Sequence, residues 1–193
     1  MCAFPNTIFA VVLCVMNTRI RVGRVVFLFL VTLLSSSLSA QSLPDVSTRS
    51  AAGDRGGLRD FLSGTGTTLV ALNLARTQEN GEEQLERVLV THTRLERLGV
   101  TRTQPILHIN VIAGAPRLVH GLIRRGLAGE YRDPVQNEQI IVLFVDDVDE
   151  FAREVGVPVT TDPAWLAVRP GGRIDWWERD TGPATADRLR ERL

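Results

Sequence analysis

Residues 139–145 (QIIVLFV) leave a strand no polar face: six of the seven side chains are apolar and four are β-branched. Side chains alternate across a strand, so both faces of this one must be covered. That is the situation of a parallel strand with helices on either side of its sheet. The flanking sequence agrees. Residues 67–74 (TTLVALNL) read as a second buried strand, and Pro105 opens a third over 106–112. Between them, 82–98 is the clearest helix, with Leu85, Val88, Leu89, Leu95 and Leu98 at three- and four-residue spacings. Glu82 and Glu83 suit the positive end of its macrodipole, and Gly99 supplies a stop. A second helix is predicted over 115–127, with Pro116 at its start and Leu118, Val119, Leu122 and Ile123 facing inward. Residues 147–155 predict a short helix with a capping-box-like Asp147/Glu150 pair. Segments 164–168 and 173–177, joined through Pro170-Gly171-Gly172, form a β-hairpin, and 183–193 closes the chain as a helix. The class is α/β: a mixed central sheet with helices on both faces and a C-terminal hairpin plus helix.

Ahead of this pattern, residues 1–40 contain no acidic residue. Arg19, Arg21 and Arg24 precede an apolar run at 25–34 (VVFLFLVTLL) and a small-residue exit at 35–40 (SSSLSA). This is the grammar of a secretory signal peptide cleaved after Ala40, and the run is well short of the roughly 20 residues that span a bilayer. Met16 offers a second start that gives MNTRIRVGR as a conventional n-region. The rival is an uncleaved signal anchor, since Leu38 is only a fair fit at the −3 position. The expected location is periplasmic or secreted, with membrane contact only through the leader if it is uncleaved. Residues 41–57, rich in Ser, Gly, Asp and Arg, read as a flexible lead-in, 58–62 as a short helical turn, and 58–193 as a single domain.

All 22 acidic residues lie after residue 40, and the 22 basic residues are all arginines, three of them in the leader. The remaining 19 arginines against 22 carboxylates leave 41–193 mildly acidic. Without a basic stripe, nucleic acid is not the expected partner. The absence of lysine removes Schiff-base and P-loop chemistry. Both cysteines, Cys2 and Cys14, belong to the leader, so the rest must hold together without disulfides.

The order of segments resembles that of the thioredoxin-like superfamily, and more closely its redoxin branch, the alkyl-hydroperoxide-reductase and thiol-disulfide-oxidoreductase group. The resemblance covers nearly all of 43–193. It is carried by Leu43-Pro44-Asp45-Val46-Ser47, Leu58-Arg59-Asp60-Phe61, the strand 69–75, Phe151 to Gly156, Pro163-Ala164-Trp165-Leu166-Ala167-Val168 and Gly171-Gly172-Arg173-Ile174. It implies a thioredoxin-like three-layer fold with an active-site turn after the strand at 69–75. Carried over from Asn73 without gaps, the two family cysteines fall on Glu79 and Glu82. A register shift of one or two residues reaches no thiol either. The thiolate is the nucleophile of disulfide exchange, so the family chemistry is not expected. The proline-led strand also suggests a cis peptide at Asp162–Pro163, against the trans form usual for X-Pro bonds. A narrower similarity, to thioredoxin-like assembly factors of the ATP synthase, rests on Gly81-Glu82-Glu83-Gln84, the strand at 106–112 and Gly172-Arg173-Ile174-Asp175-Trp176.

Together with the leader, the resemblance implies an exported binding, assembly or chaperone-like module for an envelope protein or complex, without a cofactor. Its expected recognition rim joins Arg76 and Thr77 to Thr160, Asp162, Pro163 and Trp165, with affinity from backbone beside Pro163 and from the Trp165 ring. The alternative is a divergent redoxin-like enzyme, a thiol-independent oxidoreductase or an acid–base catalyst, that uses Glu79 and Glu82; a dipole-compatible helix start explains them more simply. Asp146-Asp147-Val148-Asp149-Glu150 lacks the alternating ligands and glycine of an EF-hand loop and reads as an N-cap. His92, His108 and His120 fall in no metal-spacing motif and read as surface or satisfied core residues. Trp176 and Trp177, adjacent in a strand, must point to opposite faces.

Overall fold

The structure, a computed structural model, describes residues 41–62, 64, 66–131 and 135–193. The leader, its cleavage point and its alternative start lie outside the described residues. The described residues fall in one compact unit.

Seven strands form one sheet: β1 (Ser47–Ser50), β2 (Arg55–Gly57), β3 (Thr68–Leu74), β4 (Ile106–Ala113), β5 (Ile140–Val145), β6 (Ala164–Val168) and β7 (Ile174–Arg179). Their spatial order is β2-β1-β5-β4-β3-β6-β7. The central β3–β4 and β4–β5 pairs are parallel and the outer pairs antiparallel. Among the described residues four α-helices accompany them: α1 (Gln78–Arg97), α2 (His120–Tyr131), α3 (Val148–Val155) and α4 (Thr185–Arg192). The alternation of β3 shows how the layers arise. Val70, Leu72 and Leu74 point to one face, where they meet α3 through Phe151, Ala152 and Val155. Leu69 and Ala71 point to the other, where α1 contributes Val88 and Leu95 and α4 contributes Ala186 and Leu189. Burying one such side chain stabilises the fold by roughly 1.5–3 kcal/mol, and every residue of β3 is buried.

Three expectations need correction. The 41–57 segment is not a loose lead-in. Leu43 is fully buried, its N–H donates to the Gly172 carbonyl at 2.8 Å, and β1 pairs with β5 while β2 pairs with β1. Free sheet-edge backbone groups recruit this segment despite its polar composition. Gly172 is required there: its φ is +90°, and an added Cβ would stand 3.1 Å from the Leu43 carbonyl oxygen.

The helix expected over 115–127 begins with a 3-10 turn, Arg117–Val119, and continues as α2 to Tyr131. It is turned so that Leu118, Leu122 and Val119 face outward, at 98%, 65% and 36% exposure. The inward stripe runs through Ile123, Leu127 and Tyr131 instead. Tyr131, fully buried, holds the rotation through hydrogen bonds between its hydroxyl and Asn110 on β4.

The Asp162–Pro163 peptide is trans, since no cis bond occurs among the described residues.

Candidate functional site

The corner between β3 and α1 is where the resemblance placed the thiol pair. The helix starts at Gln78, four residues before the expected Glu82, because Thr77 caps it. The Thr77 hydroxyl accepts the Asn80 N–H at 3.2 Å, satisfying one of the otherwise unpaired first-turn donors. The tip is therefore Thr77-Gln78-Glu79-Asn80, with no sulfur. Glu79 and Glu82 are both exposed. The Gln78 side-chain amide donates to Glu82 at 2.7 Å, whereas Glu79 makes no side-chain hydrogen bond or ion pair among the described residues. Nothing in this geometry couples the two carboxylates as an acid–base pair.

Two ion pairs frame the corner. Arg76 bonds Asp149, in the first turn of α3, through both guanidinium Nε (3.0 Å) and a terminal nitrogen. That hydrogen bond holds the Asp149 carboxyl below the usual carboxylate range and raises Arg76 further. Both groups are exposed, so the pair orients the rim more than it stabilises the fold. On the opposite side Arg87 pairs with Asp162. Behind them the buried Gln84 ties the two segments together. Its amide oxygen accepts the Leu74 N–H at 2.9 Å, and its nitrogen donates to the carbonyls of Leu74 at 3.0 Å and Thr160 at 2.7 Å. The Thr160 hydroxyl donates to the Asp162 carbonyl at 2.9 Å.

Arg76 and Thr77 after β3, and Thr160 and Asp162 before β6, thus flank the buried Gln84 that ties Leu74 to Thr160. Trp165 is not part of the expected rim. It is fully buried on β6, and its indole N–H donates at 3.0 Å to Asp180, a fully buried carboxylate that also accepts the Gly182 N–H. A buried carboxylate needs such donors, so Trp165 is committed to the core. Pro163 is buried as well, and its carbonyl already accepts the Asp180 N–H at 2.8 Å. Neither residue offers the free backbone or ring expected of a binding contact. Sequence reasoning missed Gln84, Arg87 and Asp149. Gln84 had a signal, a polar side chain on the apolar stripe with Val88 and Leu95.

Beneath the corner, on the face shared by α1 and α2, lies a buried polar cluster. Asn73 donates to Asn110 at 2.8 Å, Asn110 exchanges hydrogen bonds with Tyr131, and His108 Nε2 lies 2.9 Å from His92 Nδ1. His108 Nδ1 and Asn73 Oδ1 are buried without a partner among the described residues. Desolvation, aided by the neighbouring His92, pushes His108 well below the usual imidazole pKa. His92 is lowered by desolvation and partly restored by Glu96. Burial raises the Tyr131 hydroxyl. No group of three or more His, Cys, Asp or Glu among the described residues is arranged to hold a metal ion.

No protein-family model and no curated protein matches the sequence. Solved structures do match in shape. BsSco, a member of the Sco family of cytochrome c oxidase assembly proteins, matches with a TM-score of 0.53 at 10% identity, over 80% of this chain and 92% of that one. A putative electron transfer protein from Aquifex aeolicus VF5 gives 0.54 at 11% identity, over 79% and 94%. Arabidopsis thaliana ScoI, with copper bound, gives 0.52 at 10% identity, over 79% and 97%. At such identities the likeness speaks for the fold alone. The domain has the thioredoxin-like fold.

Proposed function

We propose that this is an exported thioredoxin-fold domain that works by binding, as an assembly or chaperone-like module of the cell envelope, and not by thiol exchange. The observation that carries the reading is the composition of the α1 tip, where Thr77 holds the helix cap and no cysteine follows residue 14. A thiolate is needed for attack on a disulfide. The recognition surface is the polar rim of Arg76, Thr77, Thr160 and Asp162, joined by Gln78 and Asp149. Charged side chains already held in ion pairs present fixed geometry to a partner, which favours specificity more than raw affinity. BsSco belongs to a family of assembly proteins, which supports such a role for a domain of this shape.

The test places a photo-crosslinking residue at Gln78 in cells and asks three things. Protein from the envelope fraction begins at Gln41 by N-terminal sequencing. Crosslinking yields a discrete adduct that is lost on Arg76→Glu. The purified domain does not reduce insulin or consume peroxide above background. An adduct indifferent to Arg76→Glu, or thiol-type turnover, overturns the reading.

A further inference from the structure

The outward face of α2 has a composition unlike the rest of the domain. Residues 41–193 carry 19 arginines against 22 carboxylates, yet between Glu96 and Glu130 there is no acidic residue. Within that stretch Leu118 is almost fully exposed and Leu122, four residues on, is mostly so, with Val119 beside them. Arg117 precedes this apolar stripe, and Arg124 and Arg125 follow it. None of Arg49, Arg117, Arg124 and Arg125 forms an ion pair among the described residues. Arg124 is partly desolvated by burial and feels the positive charge of Arg49 on β1. The Arg124 guanidinium lies 5.6 Å from the centroid of the Phe144 ring, on which His120 stacks, fixing one edge of the patch.

We propose that this face docks on an anionic bilayer surface. Leu118, Leu122 and Val119 enter the boundary between headgroups and acyl chains, and Arg117 and Arg125 lie among the anionic headgroups. Charge suits the face: Arg117 and Arg125 flank the apolar stripe in a stretch, 97–129, that carries no carboxylate, and an anionic surface attracts such a patch. Size argues against a protein occupant, since three apolar side chains fall well short of the roughly 800 Å² per partner of a stable protein interface. The inference is independent of the polar rim, and it adds a membrane contact made by the folded domain to any made by the leader.

The described residues form one compact unit with its own cores, so the leader-free polypeptide 41–193 can be tested directly. The assay is co-sedimentation with vesicles of phosphatidylglycerol and phosphatidylethanolamine, compared with phosphatidylcholine alone. Binding is expected to the anionic vesicles, weakened by salt. Arg117→Gln and Arg125→Gln each lower the partition coefficient about fivefold. Leu118→Ser with Leu122→Ser lowers it at least tenfold. Urea unfolding midpoints stay unchanged, because these side chains are exposed. Equal binding to both vesicle types, no binding, or binding unaffected by the substitutions overturns the proposal. Self-association abolished by Leu118→Ser and Leu122→Ser, without vesicle binding, assigns the face to a second copy and also overturns it.

Discussion

Mild acid should loosen the domain through the His92–His108 pair. In the fold one hydrogen joins the two rings at 2.9 Å, and His108 is fully buried with its remaining ring nitrogen unpartnered. A proton added to His108 has no acceptor there, and it faces a second imidazole instead of a carboxylate. Both pKa values are lowered from the ordinary 6.5, His108 by desolvation first and His92 second. Below about pH 6.5 the unfolded chain therefore binds more protons than the folded one, and stability falls as the pH drops. For a histidine that stays neutral in the fold, moving to pH 5 costs about 2 kcal/mol, or roughly 1.36 kcal/mol for each pH unit once the unfolded group has titrated. His108, completely buried, should give the larger share of this and His92, beside Glu96, the smaller. Urea unfolding at pH 7.5 and pH 5, with native and His108→Leu chains, measures it. The substitution changes the stability at either pH, but the difference between the two should shrink by about 2 kcal/mol. A native chain equally stable at both pH values, or an unchanged difference in His108→Leu, refutes the argument.

Two further outcomes concern buried polar partners. Gln84→Ala leaves the Leu74 N–H and two carbonyls without their bonds, at about 3 kcal/mol; faster amide hydrogen exchange at Leu74 than at Leu72 checks it, and equal protection at Leu74 in both chains contradicts it. Trp165→Phe deprives the buried Asp180 of its indole donor and should cost about 3 kcal/mol in urea unfolding, while the Gln78 crosslink survives under conditions where the variant stays folded. Loss of the crosslink with native stability would restore Trp165 to the binding surface.

How far the sequence disclosed this molecule depended on how local each cause was. The 139–145 run marked β5 almost to the residue, since a strand apolar on both faces has few other homes. Asp147 announced its own cap, and its side chain accepts from the Asp149 and Glu150 N–H groups as expected. The tryptophans divide as alternation requires: Trp177 packs against the larger core, and Trp176 joins the α4 side with Arg192 over its ring. What failed was set by distant partners. The rotation of α2 is decided by one tyrosine reaching Asn110, which outweighs a more hydrophobic stripe at 118–123. The β1 pairing depends on β5, more than ninety residues away in sequence. The buried histidine pair had a faint signal. His92 lies four residues beyond Val88 on the apolar side of α1, and His108 interrupts an otherwise apolar strand, but nothing local says that the two meet. At the candidate site the Gln84 tie and the burial of Trp165 needed the tertiary structure.

The hairpin also has a protective role. β7 is the last strand in the sheet order; the 41–43 segment pairs with its start, where the Ile174 N–H donates to the Gln41 carbonyl at 2.8 Å, and the outer backbone is open beyond that point. Its side chains carry Asp175, held by Arg169 and Arg173, and Glu178, held by Arg188 and Arg192. A strand from another molecule that tried to extend the sheet would have to disturb these charged clusters and displace their arginines. Such guarded borders resist templated strand addition, which helps a domain without a disulfide to stay monodisperse where neighbouring molecules are crowded.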